Sequence, residues 1–375
     1  MKVSTSVRFF LPLVALLLFT SGVVRAQDAR AALSNFPESQ AVLYINARRL
    51  INEAAPSVVP PDALNKALAD AKQFIDLNGL DYVIAGARVK GELSLKQLPE
   101  VLLIVRGNFS ADGLLSAARM AGQGMYAQET YGGKTLNVFT LNKPAPADGG
   151  SAPPAKKFPV DQIAATALDA NTLAIGIPAY LRDAIDASGG GGDRARLKPE
   201  LVDLAMSDAN TLVSFVTDVP PAMSQHLRAL GMPPNAEVDK MIDALRQVQW
   251  SINMQPSLFG TQMTLRMEGA EQASALSGLV NMGVRFLEGE IQKEVTKTGG
   301  KDDKAVGALH MLKSLTNTAR GNDVILNVTF QQEALAAIIR KEMMPSKKPQ
   351  TAITPAPGAN KGAAVKRRRG RARRR

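Results

Sequence analysis

The residue types that most often carry metal or nucleophilic chemistry are scarce in this chain of 375 residues. It has two histidines, His226 and His310, and no cysteine. Neither histidine has the partner at i+4 that a helical zinc motif needs, and Asp302 and Asp303 lack the spacing of a calcium loop. We therefore predict no cofactor, no metal site and structural roles for both histidines, although a site built only from carboxylates stays possible.

Two glycine-containing stretches resemble nucleotide-binding motifs. Residues 122–127 (GQGMYA) match GxGxxA, but they follow a predicted helix, so no helix N-terminus would face a pyrophosphate. Residues 132–135 (GGKT) resemble the end of a phosphate loop, yet a strand follows where that motif needs a helix. We expect a hairpin turn at 132–135 and no dinucleotide site at 122–127. The GxSxG elbow of α/β-hydrolases is absent as well.

Carboxylates remain the candidates for catalysis. Asp81, Asp169 and Asp208 stand at the entrances of predicted strands, where turn and capping residues are common. A catalytic pair of carboxylates can be assembled by the fold without any local motif. A hydrolase with carboxylates in a cleft between two halves of the chain is therefore an alternative, while the absence of catalytic signatures favours a non-enzymatic protein.

The positive charge of the chain is concentrated at its ends. Three positive charges in residues 1–26 and nine in residues 361–375, out of a net +11, leave −1 for residues 27–360. A groove-reading nucleic-acid-binding protein normally has a basic face, which a balanced body does not provide.

The C-terminal decapeptide KRRRGRARRR is the candidate binding segment. Its basic residues are Lys366, Arg367, Arg368, Arg369, Arg371, Arg373, Arg374 and Arg375. Such a segment attracts anionic lipid, lipopolysaccharide or an acidic polymer. No aromatic residue interleaves the arginines, so stacking on bases is not supported. An extracellular nucleic-acid binder is kept as the second alternative.

The N-terminus has the pattern of a secretory signal peptide. Lys2 and Arg8 precede an apolar run of 11 residues, 9–19, which is too short to span a bilayer. Val24 and Ala26 suit the −3 and −1 positions, so we predict cleavage after Ala26. The interpretation places the mature chain in the periplasm or outside the cell, without a transmembrane segment.

The body contains two runs of elements in a similar order. The first has strands at 41–50, 81–89, 100–109, 134–141 and 172–177, with helices at 60–75, 110–122 and 178–187. The second has strands at 210–219, 248–254, 261–268 and 323–330, with helices at 236–247, 270–295 and 331–343. This order predicts an α+β fold of two similar halves, each a mostly antiparallel sheet with helices packed on one face.

The domain boundaries follow from composition. After the signal peptide, 1–26, the first half covers 27–187 and contains a flexible Pro/Ala/Gly insertion at 143–157. A Gly-rich linker, 188–194, leads to the second half, 195–344. The Pro- and Lys-containing end, 345–375, is predicted to be a disordered basic tail.

Alternation within the second half predicts which side chains are buried. In 248–254 the apolar residues, including Trp250, alternate with Gln249, Ser251 and Asn253. We expect the apolar side on the core and the polar side toward water or a polar partner. Trp250 and the six methionines of 232–282 are predicted to be core residues: Met232, Met241, Met254, Met263, Met267 and Met282.

Taken together, the sequence favours a non-enzymatic exported binding or scaffold module. Its Arg-rich tail would tether it to an anionic surface or polymer.

Overall fold

The computed structural model describes residues 28–72, 76–89, 98–122, 125–142, 160–189, 196–221, 224–225 and 235–343. The predicted signal peptide, the insertion, the basic tail and most of the Gly-rich linker lie outside these ranges, as does His226. Among the helices in the described ranges, none combines the length and the apolar character needed to span a bilayer.

The fold is α+β, with strands and helices interspersed along the chain. The strands are β1 (Ala41–Ile45), β2 (Leu80–Arg88), β3 (Glu100–Gly107), β4 (Tyr126–Tyr131), β5 (Lys134–Thr140), β6 (Gln162–Asp169), β7 (Thr172–Gly176), β8 (Thr211–Asp218), β9 (Leu245–Gln255), β10 (Leu258–Met267), β11 (Thr316–Arg320) and β12 (Asp323–Gln331).

The helices are α1 (28–34), α2 (Ala47–Arg49), α3 (Ala55–Val58), α4 (Pro61–Lys72), α5 (Ala111–Ala121), α6 (Pro178–Ser188), α7 (Pro199–Ala205), α8 (Ala236–Asp243), α9 (Ala270–Lys297), α10 (Asp303–Ser314) and α11 (Gln332–Met343). A π-helical turn, Leu50–Ala54, joins α2 to α3, and a 3-10 turn, Leu77–Gly79, precedes β2.

Local chemistry explains several helix starts. Pro61 opens α4, as expected of a residue that has no N–H to lose in the first turn. Ser110 caps α5, with its Oγ accepting a hydrogen bond from the Gly113 N–H at 3.1 Å. Asn235 caps α8 in the same way, accepting from Glu237 and Val238.

The twelve described strands belong to one antiparallel sheet in the order β11-β12-β10-β9-β8-β1-β2-β3-β7-β6-β5-β4. The prediction of a separate sheet in each half is therefore wrong. β1 pairs with β2 on one side and with β8 on the other, so the two runs of strands are joined. A strand with apolar residues on both faces, such as AVLYI, is poorly suited to a sheet edge. The predicted boundary at 188–194 stays a prediction for the chain.

The principal core lies on one side of the sheet, called here the covered face. Val42, Ile84 and Leu102 of neighbouring strands are at most 1% exposed. They pack with α1, α6 and α7 in one apolar cluster. Phe36 and Tyr180 meet edge to face in that cluster, with ring centroids 6.5 Å apart.

Gly86 shows how tightly this cluster is packed. A Cβ added at Gly86 would overlap the ring of Phe36, which is fully buried. The strand therefore needs a residue without a side chain where the Phe36 ring crosses it.

An ionic network fixes α6 to β2 and β3. The Arg88 guanidinium donates to Glu100 at 2.8 Å and to Asp183 at 2.6 Å. It also lies over the ring of Tyr180, 3.9 Å from the centroid. Because all three charged side chains are at least partly shielded from water, this network orients the helix more strongly than an exposed ion pair would.

Helices pack on both faces of the sheet, and the prediction that they cover one face is wrong. α5 places Ala111 and Leu115 against Ala165 and Leu173, which alternate with the covered-face residues of β6 and β7. α9 likewise packs on the side opposite to α7. We call this second side the open face. The strands β6 and β7 are apolar on both sides, which requires cover on both.

Candidate binding surface

The basic residues predicted to bind an anionic surface, Lys366 to Arg375, lie outside the described ranges. His310 is on α10 and is exposed. Within the described ranges, no group of three His, Asp or Glu side chains is placed to hold a metal ion.

The three candidate aspartates are engaged in local contacts. Asp81 accepts from Arg48 at 2.6 Å. Asp169 accepts from the Asn171 N–H at 2.9 Å and from the Thr172 hydroxyl at 2.9 Å. Asp208 accepts from the Asn210 N–H at 2.8 Å. These contacts are those of ion-pairing and turn residues.

The stretch at 132–135 forms the expected hairpin turn. Gly132 and Gly133 have φ values of 54° and 73°, and Tyr131 pairs with Lys134 between β4 and β5. Two consecutive residues with positive φ form the turn that fits the twist of a two-residue hairpin. The prediction of a hairpin is confirmed. In the GxGxxA stretch, Gly122 is the C-cap of α5, and residues 123–124 lie outside the described ranges.

Carboxylates near the junction of β1 and β8 are also paired. Asp218 accepts from Lys198 at 2.7 Å and from the Gln247 amide at 3.0 Å. Arg266, the neighbour of Gln247 on β10, makes two hydrogen bonds to Asp323, at 2.8 and 3.0 Å. This chain of contacts crosses the sheet and stabilises it.

An open depression of about 590 Å³ lies elsewhere, between β5, β6 and the start of α6, and is lined by Thr140, Asp161, Gln162 and Pro178, among others. Its carboxylate, Asp161, accepts from the Asn142 amide at 2.6 Å. A single bonded carboxylate does not form the acid and base pair that hydrolysis needs.

The open face carries a continuous row of apolar side chains across the sheet. Directly paired residues of antiparallel strands lie on the same face. The pairing of strands from β7 to β12 gives the row Ile175, Leu103, Ala85, Leu43, Phe215, Trp250, Met263 and Leu326. We call these eight residues the apolar row.

Two flanking rows on the same face are also almost entirely apolar. One contains Val105, Val83, Ile45, Val213, Ile252, Thr261 and Val328. The other contains Val101, Ala87, Ala41, Thr217, Val248, Leu265 and Val324. The only polar members of the three rows are two threonines, and none of the members carries a charge.

Water reaches the middle of this face. Val101 is 47% exposed, and Phe215, Trp250 and Met263 are 36%, 37% and 38% exposed. The last three are cross-strand neighbours in the apolar row, so their exposed areas adjoin. Large adjoining apolar areas on a folded protein commonly mark a binding surface.

Helices flank this exposed area. α5 lies over β6 and β7 on one side, and the first turns of α9 lie over β10 and β12 on the other. α3 and α11 close one end by packing near Val213, Ile252 and Met254. The floor consists of six adjacent strands in the order β3-β2-β1-β8-β9-β10. We call the whole depression the basin. Five strand intervals make its floor about 24 Å wide.

The prediction for Trp250 is therefore wrong. Its strand does alternate, but the polar side is the buried one: Gln249 and Ser251 are each 1% exposed and Asn253 is 8% exposed. The reason is α7, which sequence patterns did not reveal and which lies over β8 on the covered face. The Gln249 amide donates to the Leu204 carbonyl of α7 at 2.7 Å.

The predicted methionine core is also only partly present. Met267 is buried, at 2% exposed, whereas Met263 is 38% and Met282 is 66% exposed. Met241 and Met254 are half-buried, and Met232 lies outside the described ranges.

The covered face of β8–β10 buries a group of polar side chains that we call the polar stripe: Thr211, Ser214, Gln249, Ser251, Asn253 and Thr264. Some of its groups are unpaired. The Ser214 and Ser251 hydroxyls and the Gln249 Oε1 are buried and have no hydrogen-bond partner among the groups that the structure describes. Ser214 and Ser251 are directly paired across β8 and β9. Such groups lower stability, because burial removes water without replacing its hydrogen bonds.

No family model and no curated protein matches this chain. Among solved structures, crystal form III of TP0453 aligns with a TM-score of 0.38 and 10% identity, over 82% of this chain and 97% of that one. Crystal form IV of TP0453 aligns with a TM-score of 0.39 and 11% identity, over 82% and 95%. Likenesses at this level identify neither a family nor a function.

Proposed function

We propose that the chain is an exported, non-enzymatic binding or scaffold module whose basin takes an apolar partner surface. The observation that carries this proposal is the run of exposed, uncharged side chains at Phe215, Trp250 and Met263. An uncharged floor offers shape and apolar area, and it lacks the acid, base or nucleophile that a reaction needs. The signal-like residues 1–26 support export.

The basin can be tested with an apolar fluorescent dye. Trp250 is the sole tryptophan, so energy transfer from it to the dye reports binding in the basin. At low protein concentration we expect Met263→Asp to weaken dye binding about tenfold. The matched control is Val238→Asp on α8, because Val238 is 39% exposed against 38% for Met263. Equal dye binding by both variants would contradict the proposal.

We also infer that the tail, 345–375, tethers the module to an anionic surface. Nine basic residues in 361–375 without an acid support this, since each can contribute up to about 1 kcal/mol near an anionic membrane. The test is sedimentation with vesicles of phosphatidylglycerol and phosphatidylcholine, with pure phosphatidylcholine as control. If the chain lacking 345–375 sediments as well as the full chain, the tether is wrong.

We further infer that the body consists of two similar halves. The strand order β1-β2-β3-β7-β6 has its counterpart in β8-β9-β10-β12-β11. Leu43 pairs with Phe215 at the centre of the junction, and the pairs on either side are placed symmetrically about it. On this view β4 and β5 are an addition to the first half, and the basin floor lies on a local two-fold axis.

A further inference from the structure

The partner of the basin follows from a second unpartnered surface on the same molecule. α9 has 28 residues, of which the first turns pack on the sheet and the remainder contacts α10. Away from these contacts it exposes Leu279, Met282, Phe286 and Leu287, at 43%, 66%, 68% and 49%. We call these four residues the α9 stripe.

Within the part of the chain that the structure describes, no element covers the α9 stripe. No charged residue occurs between Glu271 and Arg285, although that part of the helix borders water. Met311 on the adjacent α10 is 49% exposed as well. A helix with apolar residues on its outer side normally packs against another surface.

From this we infer that a second copy of the chain occupies the basin, with the α9–α10 hairpin of each copy lying on the basin floor of the other. The inference rests on the proposed function, because it names the apolar partner. Reciprocal insertion produces a closed two-fold dimer, in which both copies use the same pair of surfaces.

The dimensions of the two surfaces agree. Two packed helices with axes 8–10 Å apart are roughly 20 Å across, and the floor is about 24 Å wide. A floor about 24 Å wide and about five residues long in the strand direction covers roughly 400 Å². Two floors and two hairpins would then bury roughly 1,600 Å² in total, the size of a standard stable interface.

The charges near the stripe favour a protein partner over an anionic lipid surface. A helix that lies on anionic lipid normally carries an excess of Lys and Arg on its polar side. In the C-terminal part of α9, the lysines are matched by acids: Lys293 donates to Glu290 at 2.7 Å, and Lys297 lies 3.7 Å from Glu294. The uncharged floor is likewise typical of homodimer interfaces, which are more apolar than transient ones.

The test is the mass of the full chain recovered from an exporting host, measured by light scattering and sedimentation over a range of concentrations. We expect a dimer that Met263→Asp and Phe286→Glu each weaken at least about tenfold. Met120→Glu is the matched control for Phe286→Glu, because Met120 is 76% exposed on α5 and is neither a residue of the basin floor nor one of the α9 stripe. Circular dichroism and the urea midpoint check that each variant is folded.

Cysteine pairing tests the geometry directly, because the chain has no cysteine of its own. A Phe286→Cys chain mixed with a Trp250→Cys chain should form a disulfide-linked dimer on mild oxidation. A Met120→Cys chain mixed with the same partner should not. Dye binding to the wild-type chain should also increase on dilution, as the basins open.

A monomer at all concentrations, or a dimer that neither Met263→Asp nor Phe286→Glu weakens, would overturn the inference. If the chain is a monomer whose basin still binds the dye in a Met263-dependent manner, the proposed function survives and its partner is a different molecule. If the monomer instead sediments with neutral phosphatidylcholine vesicles through Phe286, the stripe contacts lipid and the dimer is wrong.

Discussion

The strands β1–β7 and β8–β12 differ most on the covered face. In the first group, the buried layer under the helices contains Ile84, Leu102 and Ile104. In the second group, the same face buries Gln249, Ser251 and Thr264. Strand pairing is continuous in both groups, with two register shifts in each, so sheet formation does not depend on an apolar layer there. The difference places most of the covered-face core at β1–β7, to which β8 adds Val216, and leaves β9–β12 to depend on polar contacts and on the opposite face.

Alkaline pH should have the largest effect on the free energy of unfolding, and it should act through the first group of strands. All five tyrosines lie between residues 44 and 180. Burial raises the pKa of Tyr44, Tyr82 and Tyr180 from 10.0 to about 12 each. Since the folded protein favours the neutral phenol, the stabilisation is complete below pH 10 and is lost as pH rises toward about 12, by roughly 2–3 kcal/mol for each tyrosine.

The measurement is the urea midpoint against pH, with tyrosinate absorbance to follow ionisation. Trp250 fluorescence reports on β9 separately, and we expect it to change no earlier than tyrosinate appears. Tyr44→Phe should reduce the loss of stability between pH 10 and 12. A midpoint that does not change in this window would show that the first group is not the stabilising one.

Truncation of a core residue should have the second-largest effect on the free energy of unfolding. Leu102→Ala removes a fully buried side chain of β3 and should lower the free energy of unfolding by about 2–5 kcal/mol. The adjacent Val101 points to the open face and is 47% exposed, so Val101→Ala should cost less than about 1 kcal/mol. Denaturant unfolding of both variants checks this, and similar losses would mean that the open face is covered in solution.

The smallest effect is expected at the polar stripe. Ser251→Ala removes a buried hydroxyl that lacks a partner, so we expect it to raise the free energy of unfolding by about 1 kcal/mol or leave it unchanged. Thr211→Val is the control, because the Thr211 hydroxyl donates to Asn253 at 3.1 Å and its loss should cost about 1 kcal/mol. A clear destabilisation by Ser251→Ala would indicate a bound water or ligand at the stripe.

Local sequence signals predicted much of the fold. The helices predicted at 60–75 and 110–122 are present as α4 and α5, which start at Pro61 and after the Ser110 cap, and GGKT forms the predicted hairpin. The strand predicted at 100–109 is present as β3, which lies between β2 and β7 in the sheet. These features depend on a few neighbouring residues, so they can be read directly from the chain.

The joining of the sheet and the basin could not be predicted in the same way. Pairing of β1 with β8 depends on residues far apart in the chain, and no local pattern specifies it. For β9, alternation showed two chemically different sides, but the buried one was set by α7 through the Gln249 contact. Burial of Trp250 was inferred from its place on the apolar side of the strand, whereas its exposure depends on which helices cover each face.

The pairing of β1 with β8 also constrains the order in which the chain can fold. Ile45 and Val213 are partners, so a strand near the beginning stays unpaired along one edge until a strand about 170 residues later is available. Contacts this distant in sequence slow folding and leave an edge open to wrong pairing. A nascent chain would benefit from a holding chaperone until β8 has appeared, and pulse-labelled hydrogen exchange should find the β1 amides that bond to β8 among the last to gain protection.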